Sequence, residues 1–385
     1  MKLPKANILK AEKYVAGLSL FKQKFAKIKL SANESALGPS PKAVKEYIKV
    51  SKNFKRYPDS DGTFLRKIIA KKFKLDQSRI ILGNGSDQIF ELICKAFLDK
   101  GDEVIVPQYS FIIYRIYSKL NSAKVIYAPE NQFTSSVNNI LACVTSKTKI
   151  VFIANPNNPT GTYIVKKEIL RLRKKLRSNI LLVVDDAYFE YMNFKDYESG
   201  LKLFSKFKNV VVTRTLSKIY GLAGLRIGWG YASKNIVDSL YEIKPPFNVN
   251  RPALFAASVA IKDTVWLNKE IRHVKKWSKF FYDAFKELNI HTNRARVNFA
   301  LINFDKVRKT SKQVFYALAK TGILLRQMDV YGIKNSLRVT VGNDKENLKL
   351  ISELKSALNI VQIAPIAPIK RAKAIRVLIN CFNKK

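Results

Sequence analysis

Val210-Val-Val-Thr-Arg-Thr-Leu-Ser-Lys-Ile-Tyr-Gly-Leu-Ala-Gly-Leu-Arg226 runs from β-branched residues into a polar loop that carries hydroxyls, one lysine and, at its end, an arginine. The β-branched run predicts a buried strand. Lys218 then stands just past the strand end, with Thr215, Ser217 and Arg226 close enough in sequence to bind an anion. A phosphorylated aldehyde needs such a set: an amine for a Schiff base, and hydroxyls and a guanidinium to anchor the phosphate. One lysine among 70 Lys plus Arg carries little weight alone, so the surrounding sequence decides.

Similar short runs recur on both sides of this stretch: Arg79-Ile-Ile-Leu82, Glu103-Val-Ile-Val106, Lys124-Val-Ile-Tyr127, Lys149-Ile-Val-Phe-Ile153, Ile180-Leu-Leu-Val-Val184 and Arg226-Ile-Gly-Trp229. They alternate with helical patterns, which predicts an α/β fold with a mostly parallel sheet and helices on both faces. Ligands in such sheets bind beyond the carboxyl ends of the strands. Gly83-Asn-Gly-Ser-Asp87, Asn155-Pro-Asn-Asn-Pro-Thr-Gly161, Asp185-Asp-Ala-Tyr188 and Thr215-Leu-Ser-Lys218 each follow a strand.

After about residue 245 the pattern changes to one long helical stretch, Asn250 to Leu288, and then short strands at Phe299 to Phe304 and Leu337 to Val341. The expected organisation is an N-terminal segment (1–55) packing with the small domain, a large domain (56–245), a linking helix with a smaller α+β domain (246–360), and a tail (361–385) to which no role is assigned. No repeat is evident.

Composition narrows the function classes. With 47% apolar residues the 385-residue chain can bury a large core. The formal net charge of +41 raises a polyanion partner, but its basic residues are spread along the chain at helical spacing, as in Arg171-Leu-Arg-Lys-Lys-Leu-Arg177. No nucleic-acid-binding signature accompanies them, so no dedicated nucleic-acid partner is expected. Cys94, Cys143 and Cys381 show neither metal-ligand spacing nor disulfide density, and no run approaches the ~18 apolar residues of a membrane span. The expectation is a cytoplasmic protein with no metal and no membrane partner.

Each strand end offers specific chemistry. Gly85, Ser86 and Asp87 open a helix whose first N–H groups and dipole can hold a phosphate. Asp185 ends an apolar strand, where a carboxylate can keep a pyridine nitrogen protonated so that the ring accepts electrons. Tyr188 and Asn158 can hydrogen-bond a phenolate oxygen, and Tyr109 can stack on a ring. Singly, each is equally an N-cap, a turn or a core aromatic.

In this order the motifs Asn84-Gly-Ser-Asp87, Asn155-Pro-Asn-Asn-Pro-Thr-Gly161, Asp185-Asp-Ala-Tyr188 and Ser217-Lys218 with Arg226 resemble the successive signatures of the fold-type-I pyridoxal phosphate aminotransferases. The resemblance covers about residues 5–358. It implies a seven-stranded large domain, a split small domain and a homodimer with active sites at the interface. Lys29-Leu-Ser-Ala-Asn-Glu-Ser-Ala-Leu-Gly-Pro-Ser-Pro41, Arg56-Tyr-Pro-Asp59, Pro246-Phe-Asn-Val-Asn250 and Leu337-Arg-Val-Thr-Val-Gly342 are similar to the histidinol-phosphate aminotransferase branch. That branch implies amino exchange between histidinol phosphate and 2-oxoglutarate, returning glutamate, in histidine biosynthesis.

By motif match, Tyr57 reaches the cofactor phosphate of the partner subunit, Arg326 and Arg338 grip the substrate anion, and Tyr14 lines the substrate pocket. The chain departs from the pattern at Gln88, where an acidic residue is usual, at Ala16, where proline is usual, and in its tail. Related enzymes on the same site, an aromatic-amino-acid aminotransferase or a threonine-phosphate decarboxylase, share the cofactor residues. From a different class, a basic nucleic-acid-binding protein on the same fold predicts salt-dependent binding and no cofactor spectrum.

Overall fold

The apolar runs form one sheet. In the computed structural model, which describes residues 14, 16–22, 24–204, 207–294 and 296–358, seven strands pair. They are β1 (Ile80–Gly83), β2 (Glu103–Pro107), β3 (Lys124–Ala128), β4 (Thr148–Ala154), β5 (Leu181–Asp185), β6 (Val210–Thr215) and β7 (Gly228–Tyr231). Their order is β1-β7-β6-β5-β4-β2-β3. Pairs from β6 through β3 are parallel, while β7 runs antiparallel to both β6 and β1. The core strands are buried on both faces, which explains their unbroken Val and Ile runs: side chains pointing either way meet a helix layer. A fully buried residue such as Ile153 or Val183 contributes roughly 1.5–3 kcal/mol over an exposed one.

A second sheet joins β8 (His291–Thr292), β9 (Phe299–Asn303), β10 (Arg326–Gln327) and β11 (Ser336–Thr340), in the order β8-β9-β11-β10. The N-terminal segment reaches it: Ile28–Lys29 pairs in parallel with Ile323–Leu324, and Thr340 N–H donates to the Leu30 carbonyl at 3.0 Å.

One expectation is corrected. The helical stretch from Asn250 to Leu288 is two helices, Arg251–Ala260 and Thr264–Glu287. Asp263 makes the break, because its carboxylate accepts the Trp266 N–H at 3.2 Å as an N-cap and also accepts the Ser40 hydroxyl at 2.7 Å. Both helices carry apolar periodicity, so periodicity alone ran across the cap. The tail after 358, with Cys381, lies outside the described residues.

Candidate active site

Four strand ends converge on one cavity of about 370 Å³. Ser86 and Asp87 follow β1, Asn158 follows β4, Asp185 ends β5, Thr215 ends β6, and Ser217 and Lys218 follow it. Arg226, Tyr188, Tyr14, Arg326 and Arg338, also predicted, line the same wall.

Lys218 enters with almost no partners. Its Nζ donates to the Ala32 carbonyl at 3.1 Å and lies 6.0 Å from the centre of the Tyr188 ring. Burial, and then the Arg338 guanidinium, pull the ammonium down to about 8 from an ordinary lysine value of 10.5. A useful fraction of the amine is therefore neutral and nucleophilic near neutral pH.

Asp185 faces the same space. Its Oδ2 accepts the Tyr114 hydroxyl at 2.6 Å, and its Oδ1 accepts the Ala187 N–H at 3.1 Å and the Thr213 hydroxyl at 3.3 Å. Burial raises the carboxyl to about 6, while these three donors pull the other way. A cationic ring nitrogen brought beside it would hold it ionised.

At the β1 end, the helix Ser86–Phe97 begins without a side-chain cap, so its first N–H groups are open to an anion. Gly85 precedes it at φ +76°, and a Cβ there would stand 2.3 Å from Arg226 Nη2, so glycine lets the guanidinium lie against the turn. Arg226 donates to Ser217 Oγ at 3.3 Å and to Asp87 Oδ2 at 3.2 Å. Burial raises Asp87, opposed by Arg226 and then Lys218. An uncapped helix start, two hydroxyls and a guanidinium fit a phosphate, and the amine and the buried carboxylate fit the aldehyde and ring nitrogen of pyridoxal phosphate.

On the opposite wall, Arg338 donates to Asn158 Oδ1 and, at 3.0 Å, to the Ser31 carbonyl. Tyr188 accepts Asn33 Nδ2–H at 2.9 Å. Tyr14 lies 44% exposed at the rim, and burial of its hydroxyl side raises its pKa.

Two predicted residues stand apart. Tyr109 is not among the lining residues: its ring tilts against Phe133 at 5.4 Å, its N–H donates to Glu130, and Phe111 lines the cavity instead. The turn after β2 carries both aromatics, and spacing from the strand end does not say which faces inward. Tyr57 is 78% exposed and stacks on Phe247 at 4.5 Å, outside its own chain's cavity. Gln88, the departure from the acidic pattern, accepts Asn84 N–H at 2.8 Å and Asn248 Nδ2–H at 2.6 Å.

Tyr114, Tyr331, Phe111 and Asn33 also belong to the site or its support, without a role assigned from sequence. Asn33 lay inside a quoted motif; Tyr114 lies in an apolar helical run and looks like core. Among the described residues, no cluster of three or more His, Cys, Asp or Glu has a metal-holding arrangement, and no helix is long and apolar enough to cross a membrane.

The family model for aminotransferase class I and II matches residues 26–354. The chain belongs to the class I and II aminotransferases. Within that family it groups with the histidinol-phosphate aminotransferases. The enzyme of that name from Pelagibacter ubique (strain HTCC1062) is 49% identical over 360 residues, covering 93% of this chain and 100% of that protein. The one from Rhodopseudomonas palustris (strain TIE-1) is 41% identical over 355 residues, covering 92% and 97%. Among solved structures, histidinol-phosphate aminotransferase from Sinorhizobium meliloti in complex with pyridoxal-5'-phosphate superposes with a TM-score of 0.82 at 21% identity, over 87% of this chain and 92% of that one. An aspartate aminotransferase variant from Thermus thermophilus gives 0.78 at 17% identity, over 86% and 96%. Likeness at these low identities establishes the aminotransferase fold.

Proposed function

We propose that this aminotransferase moves the amino group of histidinol phosphate to 2-oxoglutarate, with pyridoxal phosphate held at Lys218. The observation that carries the reading is a half-buried, partner-poor amine whose cavity also holds a buried carboxylate, an open helix start with Arg226, and two further arginines. The relatives named above support the choice of substrate.

When bound, pyridoxal phosphate supplies an electron-accepting ring for the pair released at the substrate's amine-bearing carbon. The chain's residues do the rest. Ser86, Thr215, Ser217 and Arg226 bind the cofactor phosphate, with Gly85 admitting the guanidinium and Asp87 orienting it. Asp185, braced by Tyr114, would hold a proton on the ring nitrogen, and Asn158 and Tyr188 would be the groups for the phenolate oxygen. Lys218, as the free amine, would be the base that takes the proton from the substrate's amine-bearing carbon and delivers it to the carbon that carried the cofactor's aldehyde. Arg326 and Arg338 orient the substrate anion, and a planar guanidinium pair suits both the phosphate of one substrate and the distal carboxylate of the other. Tyr14 and Tyr331 close the remaining wall against water.

Tyr57 and Phe247 form an exposed stacked pair, and we assign them to contact with a second copy, in which Tyr57 meets the other subunit's phosphate site. Free Cys94 and Cys143 accord with a reducing, cytoplasmic setting. We assign a large domain of 56–245 and a small domain of 246–360; the two separate sheets support that division.

The test mixes purified protein and pyridoxal phosphate with 2-oxoglutarate and, in parallel, histidinol phosphate, phenylalanine or threonine phosphate. Glutamate should form with histidinol phosphate at a kcat/KM far above the others. Preference for phenylalanine, or carbon dioxide release from threonine phosphate without 2-oxoglutarate, would assign a different substrate to the same site.

A further inference from the structure

Ala36 and Leu37 direct their backbone N–H groups at a single carboxylate. Glu270, on the helix Thr264–Glu287, accepts Ala36 N–H through Oε1 and Leu37 N–H through Oε2, each at 3.2 Å. Its residue is fully buried, and the Ser35 hydroxyl is a further donor to it. Burial pushes the carboxyl upward, these donors pull it down, and its desolvation is offset only while the donors stay in place.

The segment that Glu270 grips reaches the reaction centre at three points. The Ala32 carbonyl accepts from Lys218 Nζ at 3.1 Å, and Asn33 Nδ2 donates to Tyr188 at 2.9 Å. Further on, Gly38 and Pro39 press on Gly221 of the Lys218 loop, where a Cβ would stand 2.3 Å from the Gly38 carbonyl carbon. The segment is thus clamped between the lysine loop and a helix that contributes no lining residue to the cavity.

We propose that Glu270 is a positioning residue for the amine: by fixing the backbone at Ala36 and Leu37 it sets where the Ala32 carbonyl stands against Lys218. The inference rests on Lys218 being the reacting group. A purely structural brace would lower stability and leave Lys218 chemistry untouched in the folded protein. A positioning role changes the amine itself, because an ammonium that loses its acceptor gives up its proton more readily.

The experiment uses the full-length chain as Glu270→Gln, which keeps volume but offers one acceptor, and Glu270→Asp, which keeps charge but withdraws the carboxylate by one methylene. Three readouts are taken: amide exchange of the peptide spanning 31–38 without cofactor, the pH midpoint for condensation of Lys218 with added pyridoxal phosphate, and kcat against KM. The groups facing the amine, Arg338, Asp87, Glu34 and Arg226, are unchanged in both variants. Glu270→Gln is expected to lose protection at 36–37, to shift the midpoint below the wild-type value near 8, and to lower kcat about tenfold, the scale of one hydrogen bond to a charged group, with KM little changed. Glu270→Asp should fall between, and carries the test alone if Glu270→Gln does not fold. Lost protection with an unmoved midpoint and unmoved kcat overturns the proposal. The exchange result needs neither cofactor nor substrate, so a mistaken substrate assignment would show separately as missing turnover.

Discussion

Arg214, buried, and Lys218, half-buried, are two cations on the same strand and loop, four residues apart; Arg214 pairs with Asp186, and Lys218 shares its cavity with the adjacent Asp185. Arg214 is surrounded by counter-charge: its guanidinium lies 3.6 Å from Asp186 and 3.3 Å from Glu190, donates to Ser199 at 2.8 Å, and sits 3.7 Å from the centre of the Phe189 ring. Asp186 in turn accepts from Ser199 at 2.6 Å and Gly200 at 3.1 Å. Lys218 has one carbonyl and an open cavity. The difference follows from strand alternation: Thr213 registers with Asp185 and faces the cavity side, so the next residues, Arg214 and Asp186, point the other way. Burial beside two carboxylates makes a charge structural. Burial without them leaves it available for chemistry.

The largest way to break this comparison is Lys218→Ala. It should abolish amino transfer, by at least the roughly 10⁴-fold upper range of general acid–base catalysis, and remove the visible absorbance of lysine-linked cofactor, both read by spectrophotometry. Its melting temperature should not fall, since a half-buried, poorly partnered amine is removed.

The aspartates should split oppositely. Asp186→Asn leaves Arg214 partly uncompensated and is expected to cost up to about 3–5 kcal/mol in denaturant unfolding, the scale of a broken buried ion pair. Asp185→Asn should keep its stability yet lose roughly 100-fold or more in kcat, as when one preorganised electrostatic contact is deleted. Equal destabilisation of both variants would erase the distinction.

Titration sharpens it. Because Lys218 is depressed to about 8, condensation of the cofactor-free chain with pyridoxal phosphate should speed about tenfold per pH unit below that value and level off above it. The sign for stability agrees: burying the ammonium costs stability below about 8, and the cost fades as pH rises toward 10.5, where the unfolded lysine also loses its proton. Smaller still, Tyr114→Phe removes one of three donors to Asp185 and should lower kcat roughly tenfold. Gln88→Glu keeps both acceptor contacts and should change stability by less than about 0.5 kcal/mol.

This contrast also marks what could be read from the sequence. The central strands of the large sheet appear as β-branched runs because they are buried on both faces, and the residues at or just past their ends were readable because polar groups interrupt apolar runs there. Asp185, Lys218 and Arg226 stand out in that way. Asn33 and Tyr114 did not, because their partners, Tyr188 and Asp185, lie 155 and 71 residues away and nothing local distinguishes them from a turn asparagine and a core tyrosine. Likewise Arg214 and Lys218 look alike in sequence, and only the tertiary partners on opposite sides of the sheet separate them. The cap at Asp263 was missed for a related reason: its second contact, Ser40, comes from a distant segment.

The most direct test of the central claim is to load the protein with pyridoxal phosphate, reduce with borohydride and map the modified peptide by mass spectrometry. A single stoichiometric adduct on Lys218 is predicted, despite 70 Lys and Arg in the chain. An adduct scattered over surface lysines, or found at full occupancy on another lysine, would contradict it.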